Sequence, residues 1–191
     1  MVSEAPGEGP GSRRGLLKAV GAGAAALIVA ACGHHDSLRS QLKREPAVAQ
    51  TDIALLNHLL DIEHKAVAAY TAGGPLLDPV AAKAARQFLA QELAHASTLD
   101  ILVRVAGGKS NKPLPSYNLG NPRSSEDVLR LLHSIETAQI AAYLDAIPRL
   151  APSPVRTMVA EVFANDAQHI SVVRSLLGEA PAPAPFVSGR E

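Results

Sequence analysis

Six residues able to bind a metal fall into two matching sets along the chain, Glu63 with Glu92-x-x-His95 and Glu136 with Asp166-x-x-His169. In each carboxylate-x-x-His pair the spacing puts both side chains on one helical face, where they can address a common centre. Every one of them sits in an apolar stripe. The stripes read Leu56, Leu59, Glu63, Val67, Tyr70; Phe88, Glu92, His95, Leu99, Leu102; Val128, Leu132, Glu136, Gln139, Tyr143; and Val162, Asp166, His169, Val173, Leu176. Four ionised carboxylates turned into such a core would be severely unfavourable, because desolvation and mutual repulsion both oppose their charge. Two divalent cations would balance them, and a mixed oxygen and imidazole set suits iron or manganese better than calcium or magnesium.

The elements that must position these residues are helices. From residue 51 onward four long periodic segments alternate with Gly/Pro punctuation, and no convincing period-two strand interrupts them. Helix 1 is expected from Thr51 or Asp52 to Tyr70, closing at Ala72-Gly73-Gly74-Pro75. Helix 2 opens at the N-cap Asp78 with Pro79 in its first turn and runs to about Ala106, before Gly107-Gly108. Helix 3 starts near Ser124-Ser125-Glu126-Asp127 and ends near Ile147-Pro148; helix 4 opens at Ser153-Pro154 and ends near Leu177-Gly178.

Short links join helix 1 to 2 and helix 3 to 4, whereas the Gly107–Arg123 link is long. At about 3.3 Å per extended residue it can span the length of a helix. The expected fold is therefore all-α, an antiparallel four-helix bundle of two hairpins joined by a long crossover. The hairpins also repeat: Leu59, Ile62, Glu63, Ala68, Ala69 and Tyr70 recur as Leu132, Ile135, Glu136, Ala141, Ala142 and Tyr143. Glu92 and His95 likewise recur as Asp166 and His169, which brings equivalent residues together near a pseudo-axis.

The N-terminal segment carries a different message. Ser12-Arg13-Arg14-Gly15-Leu16-Leu17-Lys18 precedes an uncharged run from Ala19 to Ala31, of signal-peptide length and too short to span a bilayer. The arginine pair matches a twin-arginine export motif, and Val29-Ala30-Ala31-Cys32 matches a lipobox whose Cys32 takes the lipid. The organisation expected is a twin-arginine lipoprotein signal peptide over 1–31, a tether over 32–50, the bundle over 51–178 and a disordered Pro/Ala-rich tail over 179–191. This implies passage through the twin-arginine export machinery and a lipid anchor on the outer face of the cell membrane. His34 and His35 lie in the tether, and His58, His64 and His133 lie off the repeat, peripheral to the proposed centre.

Composition excludes other classes. Eighteen basic residues balance eighteen acidic ones in a chain of 191, which leaves no net charge for nucleic acid. A single Cys cannot build a disulfide framework, a cysteine-ligated zinc or iron-sulfur site, or a rubredoxin-like centre within one chain.

Glu on helices 1 and 3 with a carboxylate-x-x-His pair on helices 2 and 4 resembles the ligand pattern of ferritin-like di-iron carboxylate proteins such as bacterioferritin and rubrerythrin. The resemblance implies two iron ions, or manganese. Glu63 and His95 would be terminal on one, Glu136 and His169 on the other, with Glu92 and Asp166 bridging. It also implies catalytic roles for Tyr70 and Tyr143, which match a tyrosine seven residues after the helix 1 glutamate in those families. Seven residues rise about 10.5 Å, so each tyrosine would reach a ligand on a neighbouring helix.

Several departures narrow the type. Asp166 is one methylene shorter than the usual Glu, which puts a symmetric bridge in doubt. Gln139 stands where rubrerythrin has an extra Glu, and Leu93 stands where bacterioferritin has its haem-ligating Met, so no haem is expected. The tail leaves no fifth helix, and a storage cage is not expected, although a homodimer would fit the family. The activity implied is Fe(II) oxidation or reduction of O2 or peroxide. The alternatives are a non-catalytic metal-binding or interaction module, and a di-iron oxygenase with an apolar pocket beside Ala66, Ala68, Ala69, Ala141 and Ala142.

Overall fold

The computed structural model describes residues 49–151 and 154–190. In it the periodic stripes become four helices: α1 (Ile53–Gly73), α2 (Pro79–Val105), α3 (Ser125–Ala146) and α4 (Pro154–Leu176). No strand occurs among the described residues. The arginine pair, Cys32, His34, His35 and almost all of the tether lie outside them. So does Ser153, the expected opening of the last helix.

Local chemistry sets the helix ends. The Asp78 carboxylate accepts from the N–H groups of Val80 and Ala81 at 2.9 and 3.0 Å, ahead of Pro79, whose missing N–H costs nothing in the first turn. Ser124 and Asp127 form a reciprocal capping box at the start of α3. The two starts are linked, because the Ser125 hydroxyl donates to Asp78 Oδ2 at 3.0 Å and accepts from the Asp78 N–H at 3.2 Å. Beyond α4, Gly178 takes a left-handed φ of +75° while the Glu179 N–H returns to the Arg174 carbonyl at 2.9 Å.

Helix α1 runs a turn past Tyr70, to Gly73, and tightens into a 3-10 turn over Gly74–Leu76. The α-helix thus closes at the glycine pair. A Cβ on Gly73 would lie 2.6 Å from Val128 Cγ1, so the bare backbone is what lets α1 close on the start of α3. At the other end of α1, a Cβ on Gly108 would lie 2.8 Å from Ile53 Cγ2.

Helix α1 packs on α2 and α3, and α4 packs on α3 and α2, so each hairpin lies against the other. The expected stripes are buried with two exceptions: Ala66 replaces Val67 in the core of α1, and Leu176 is only half-buried. Val67 instead borders a groove of about 320 Å³ that also touches Pro113, Pro115 and Tyr117 of the crossover. That crossover runs extended along α1. Asn57 pins its beginning, donating to the Lys109 carbonyl at 3.0 Å and accepting from the Asn111 N–H at 2.8 Å.

Among the described residues, none after α4 forms a further helix. Residues Pro181, Ala182, Ala184, Phe186 and Val187 lie over Ala167, Ile170 and Arg174 of α4, and Arg174 Nε donates to the Ala180 carbonyl at 2.8 Å. Gly189 reaches Ala141 on α3 so closely that a Cβ would meet its backbone at 2.6 Å. Among the described residues, no helix is long and apolar enough to cross a membrane.

Candidate metal centre

The four apolar stripes meet in the bundle interior, and their polar interruptions meet with them. Glu63, Glu92, Glu136 and Asp166 are each 0 % exposed, His169 is 1 % and His95 is 8 %. All six residues singled out from the sequence are therefore at one buried site. They form two groups whose ligand atoms lie within 4.8 Å of one another, Glu92/Glu136/Asp166/His169 and Glu63/His95/Asp166.

Distances define how the groups face. His169 Nδ1 lies 2.9 Å from Glu92 Oε1, 3.5 Å from Glu136 Oε1 and 3.8 Å from Asp166 Oδ1. His95 Nδ1 lies 3.3 Å from Asp166 Oδ1 and 3.7 Å from Glu63 Oε2. Yet Glu92 Oε1, Glu136 Oε2, both Asp166 oxygens and the Nδ1 atoms of both histidines lack a partner in hydrogen-bond geometry. Buried polar atoms are nearly always paired, and atoms this close without hydrogen bonds are aimed at a shared point, as ligands of a cation are. The residues present thus fit a metal, on the chemistry of the donor set and on these orphaned atoms.

The remaining atoms are held by neighbours. Tyr70 on α1 donates its hydroxyl proton to Glu136 Oε1 on α3, and Tyr143 on α3 donates to Glu63 Oε1 on α1, both in short hydrogen bonds. Each tyrosine therefore bonds the glutamate of the other hairpin, as the helical rise requires. His169 Nε2 lies 2.9 Å from Gln91 Oε1, an acceptor, so Nε2 carries the proton and Nδ1 faces the carboxylates. Phe88 stacks on the same ring with centroids 4.2 Å apart. Gln139 Nε2 donates to Glu92 Oε2 at 2.8 Å and Glu63 Oε2 at 3.2 Å.

The two carboxylates expected to bridge are placed differently. Asp166, the shorter carboxylate, is the member common to both groups, and both of its oxygens are free of hydrogen bonds. Glu92 belongs to one group only, and Gln139 donates to its second oxygen. The roles of Gln91 and Gln139 were not legible in the pattern. Gln139 alone left a signal, an amide on the buried stripe of α3. Of the other histidines, His58 is exposed, His133 Nε2 lies 3.1 Å from Arg174 Nη1, and burial pulls His64 below its ordinary value.

Charge in the cluster is frustrated without a cation. Burial first, then the Glu63 carboxylate, pushes Glu92 up to about 7. Burial pushes Asp166 up to about 7, and raises Glu136. Burial pulls His169 down, but Glu136 and Glu92 outweigh it and lift the imidazole to about 9. Burial opposes the charged form of His95 too, and Asp166 and Glu63 outweigh it, raising the ring well above its ordinary value. Burial, reinforced by the adjacent carboxylates, holds both tyrosines well above the ordinary phenol range, so their hydroxyls stay protonated.

An all-helical bundle with a carboxylate and histidine cluster buried between two hairpins has the architecture of the ferritin-like proteins. The chain belongs to that family: the model of the ferritin-like domain matches residues 51–179. A conserved hypothetical protein from Mycobacterium tuberculosis shares the fold, with a TM-score of 0.63 and 17 % identity over 66 % of this chain and 96 % of that one. No curated protein matches the chain.

Proposed function

We propose that this protein is an exported, lipid-anchored ferritin-like oxidoreductase whose cluster holds two iron ions, or manganese, and which oxidises Fe(II) or reduces O2 or peroxide. One observation carries the reading: two groups of buried ligand residues share Asp166, and every member except Glu63 keeps at least one orphaned ligand atom. When bound, two adjacent redox-active metals together supply the electron pair that reduction of O2 or peroxide requires. Glu63, Glu92, His95, Glu136, Asp166 and His169 are the residues that would hold them.

The rest is work for the chain itself. Gln91 keeps His169 Nδ1 turned inward, and Phe88 shields the ring face. Tyr70 and Tyr143 hold protons on Glu136 Oε1 and Glu63 Oε1, next to the place where a proton is needed as oxygen is reduced. The apolar helix faces exclude bulk water, which strengthens each of these interactions. Export and anchoring rest on the arginine pair and on the motif ending at Cys32.

A second reading, metal binding without turnover, is favoured by the depth of the cluster. The crevice lined by Tyr70, Phe88 and Leu132 has no room for a water molecule. Turnover separates the readings. Metal-loaded protein given Fe(II) with O2 or peroxide should consume oxidant in proportion to the Fe(II) oxidised, and Glu92→Ala should abolish this. Metal held by the six residues with no consumption of either oxidant would leave only the binding module.

A further inference from the structure

The two hairpins repeat in sequence, but one buried group breaks the repeat. Gln139 occupies the position on α3 that Ala66 occupies on α1, and both are 0 % exposed. An amide therefore stands on one side of the pseudo-axis and a methyl group on the other. Its two N–H groups are spent on Glu63 Oε2 and Glu92 Oε2. Since Tyr143 already donates to Glu63 Oε1, both oxygens of Glu63 are engaged. The other two glutamates are each held at one oxygen only, Glu136 Oε1 by Tyr70 and Glu92 Oε2 by Gln139. Glu136 keeps Oε2 free, Asp166 keeps both oxygens free, and Glu92 keeps Oε1 free toward His169.

Asp166 serves both groups; the other free acceptors, Glu92 Oε1 and Glu136 Oε2, belong to the Glu92/Glu136/Asp166/His169 group, and the Glu63/His95/Asp166 group has one fewer ligand residue and a glutamate bonded at both oxygens. His95 also makes the smaller group the more accessible, at 8 % exposed against 1 % for His169. We propose that Gln139 is a positioning residue that makes the two metal positions unequal. The Glu92/Glu136/Asp166/His169 position fills first and tightly; the Glu63/His95/Asp166 position fills second, because a cation there must share a Glu63 oxygen with the Gln139 amide. This rests on the metal-centre reading above and adds to it an order of loading and the residue that sets it. A neutral amide can do this where a carboxylate could not, since it donates to two anions without adding a fifth negative charge.

Titrating Co(II) into the metal-free full chain under anaerobic conditions, followed by calorimetry and visible absorption, tests the proposal. The expected result is two resolved steps whose affinities differ by about tenfold or more, the usual scale of an outer hydrogen bond's effect on metal affinity. Glu63→Gln should remove the weaker step and keep the tighter one, while Glu136→Gln should remove the tighter. Gln139→Leu, which deletes the donor without offering a ligand, frees Glu63 Oε2 and should tighten the weaker step until the two are no longer resolved. Equal steps in the unaltered chain would overturn the inequality while leaving the metal centre intact. An unchanged gap in Gln139→Leu would overturn the role of Gln139. Should that variant fail to fold, the Glu63→Gln and Glu136→Gln pair still decides the order. An unaltered chain that binds no Co(II) at all would instead refute the metal centre itself, and this proposal with it.

Discussion

Protons and cations compete for the same atoms in Glu92, Asp166 and His169, and the direction of that competition can be read from stability. The two carboxyls, raised to about 7 by burial, are held protonated in the folded chain while the unfolded chain ionises near 4. Their folded form binds more protons, so rising pH removes stability between about 4 and 7 and the penalty persists above. His169, lifted to about 9 against an ordinary value near 6.5, stabilises fully below 6.5 and loses that contribution as pH rises to 9. The signs agree: the urea midpoint of the metal-free protein should fall steadily from about pH 5 to about pH 9. A midpoint that rises over this interval would show that the carboxylates are already balanced. Tyr143→Phe offers a second test, because it strips Glu63 Oε1 of its donor in the dry core. It should cost the metal-free protein about 1–3 kcal/mol in chemical denaturation, and a cost near zero would mean that water or another donor replaces it. The ligand positions were legible because charge interrupts an apolar stripe. Gln91 was not, since an amide on a helix gives no hint of what it meets until two helices cross.

At the scale of helices, close approach is bought at specific glycines rather than by the bundle as a whole. Val128 is fully buried and β-branched, so its Cγ1 cannot swing away from a Cβ placed on Gly73. Gly73→Ala should destabilise the protein by about 1–3 kcal/mol, and the loss should shrink in a Val128→Ala background. Strict additivity of the two substitutions would show that α1 and α3 do not meet there. The starts of α2 and α3 followed from Asp78-Pro79 and from the capping residues Ser124 and Asp127, because caps act within one turn of chain. The α-helical part of α1 ends at Gly73, inside the Ala72-Gly73-Gly74-Pro75 punctuation that marks its close in the sequence. The contact of Gly73 with Val128 is the part that no local signal carries, because it depends on how α1 and α3 meet. Ala66 and Val67 show the same limit: adjacent small apolar residues both fit the stripe, and only the crossing of helices selects which one is buried.

For the whole molecule, the order of the helices and the long crossover were legible from link lengths alone, which restrict how hairpins can join. The course of 179–190 over α4 and α3 was not, since it depends on backbone contacts such as Gly189 with Ala141 rather than on periodicity. The proposed anchor makes a separate prediction: the full chain should incorporate labelled fatty acid and partition to membranes, and Cys32→Ser should lose both. A protein that remains labelled after that substitution would refute the lipid site. The central claim, a metal centre built from both hairpins, is tested most directly by metal analysis of the protein isolated from its own export route. The account predicts about two iron or manganese ions per chain, lost together in Asp166→Ala, the residue common to both groups. Less than about one ion per chain, or a content that Asp166→Ala leaves unchanged, would contradict it.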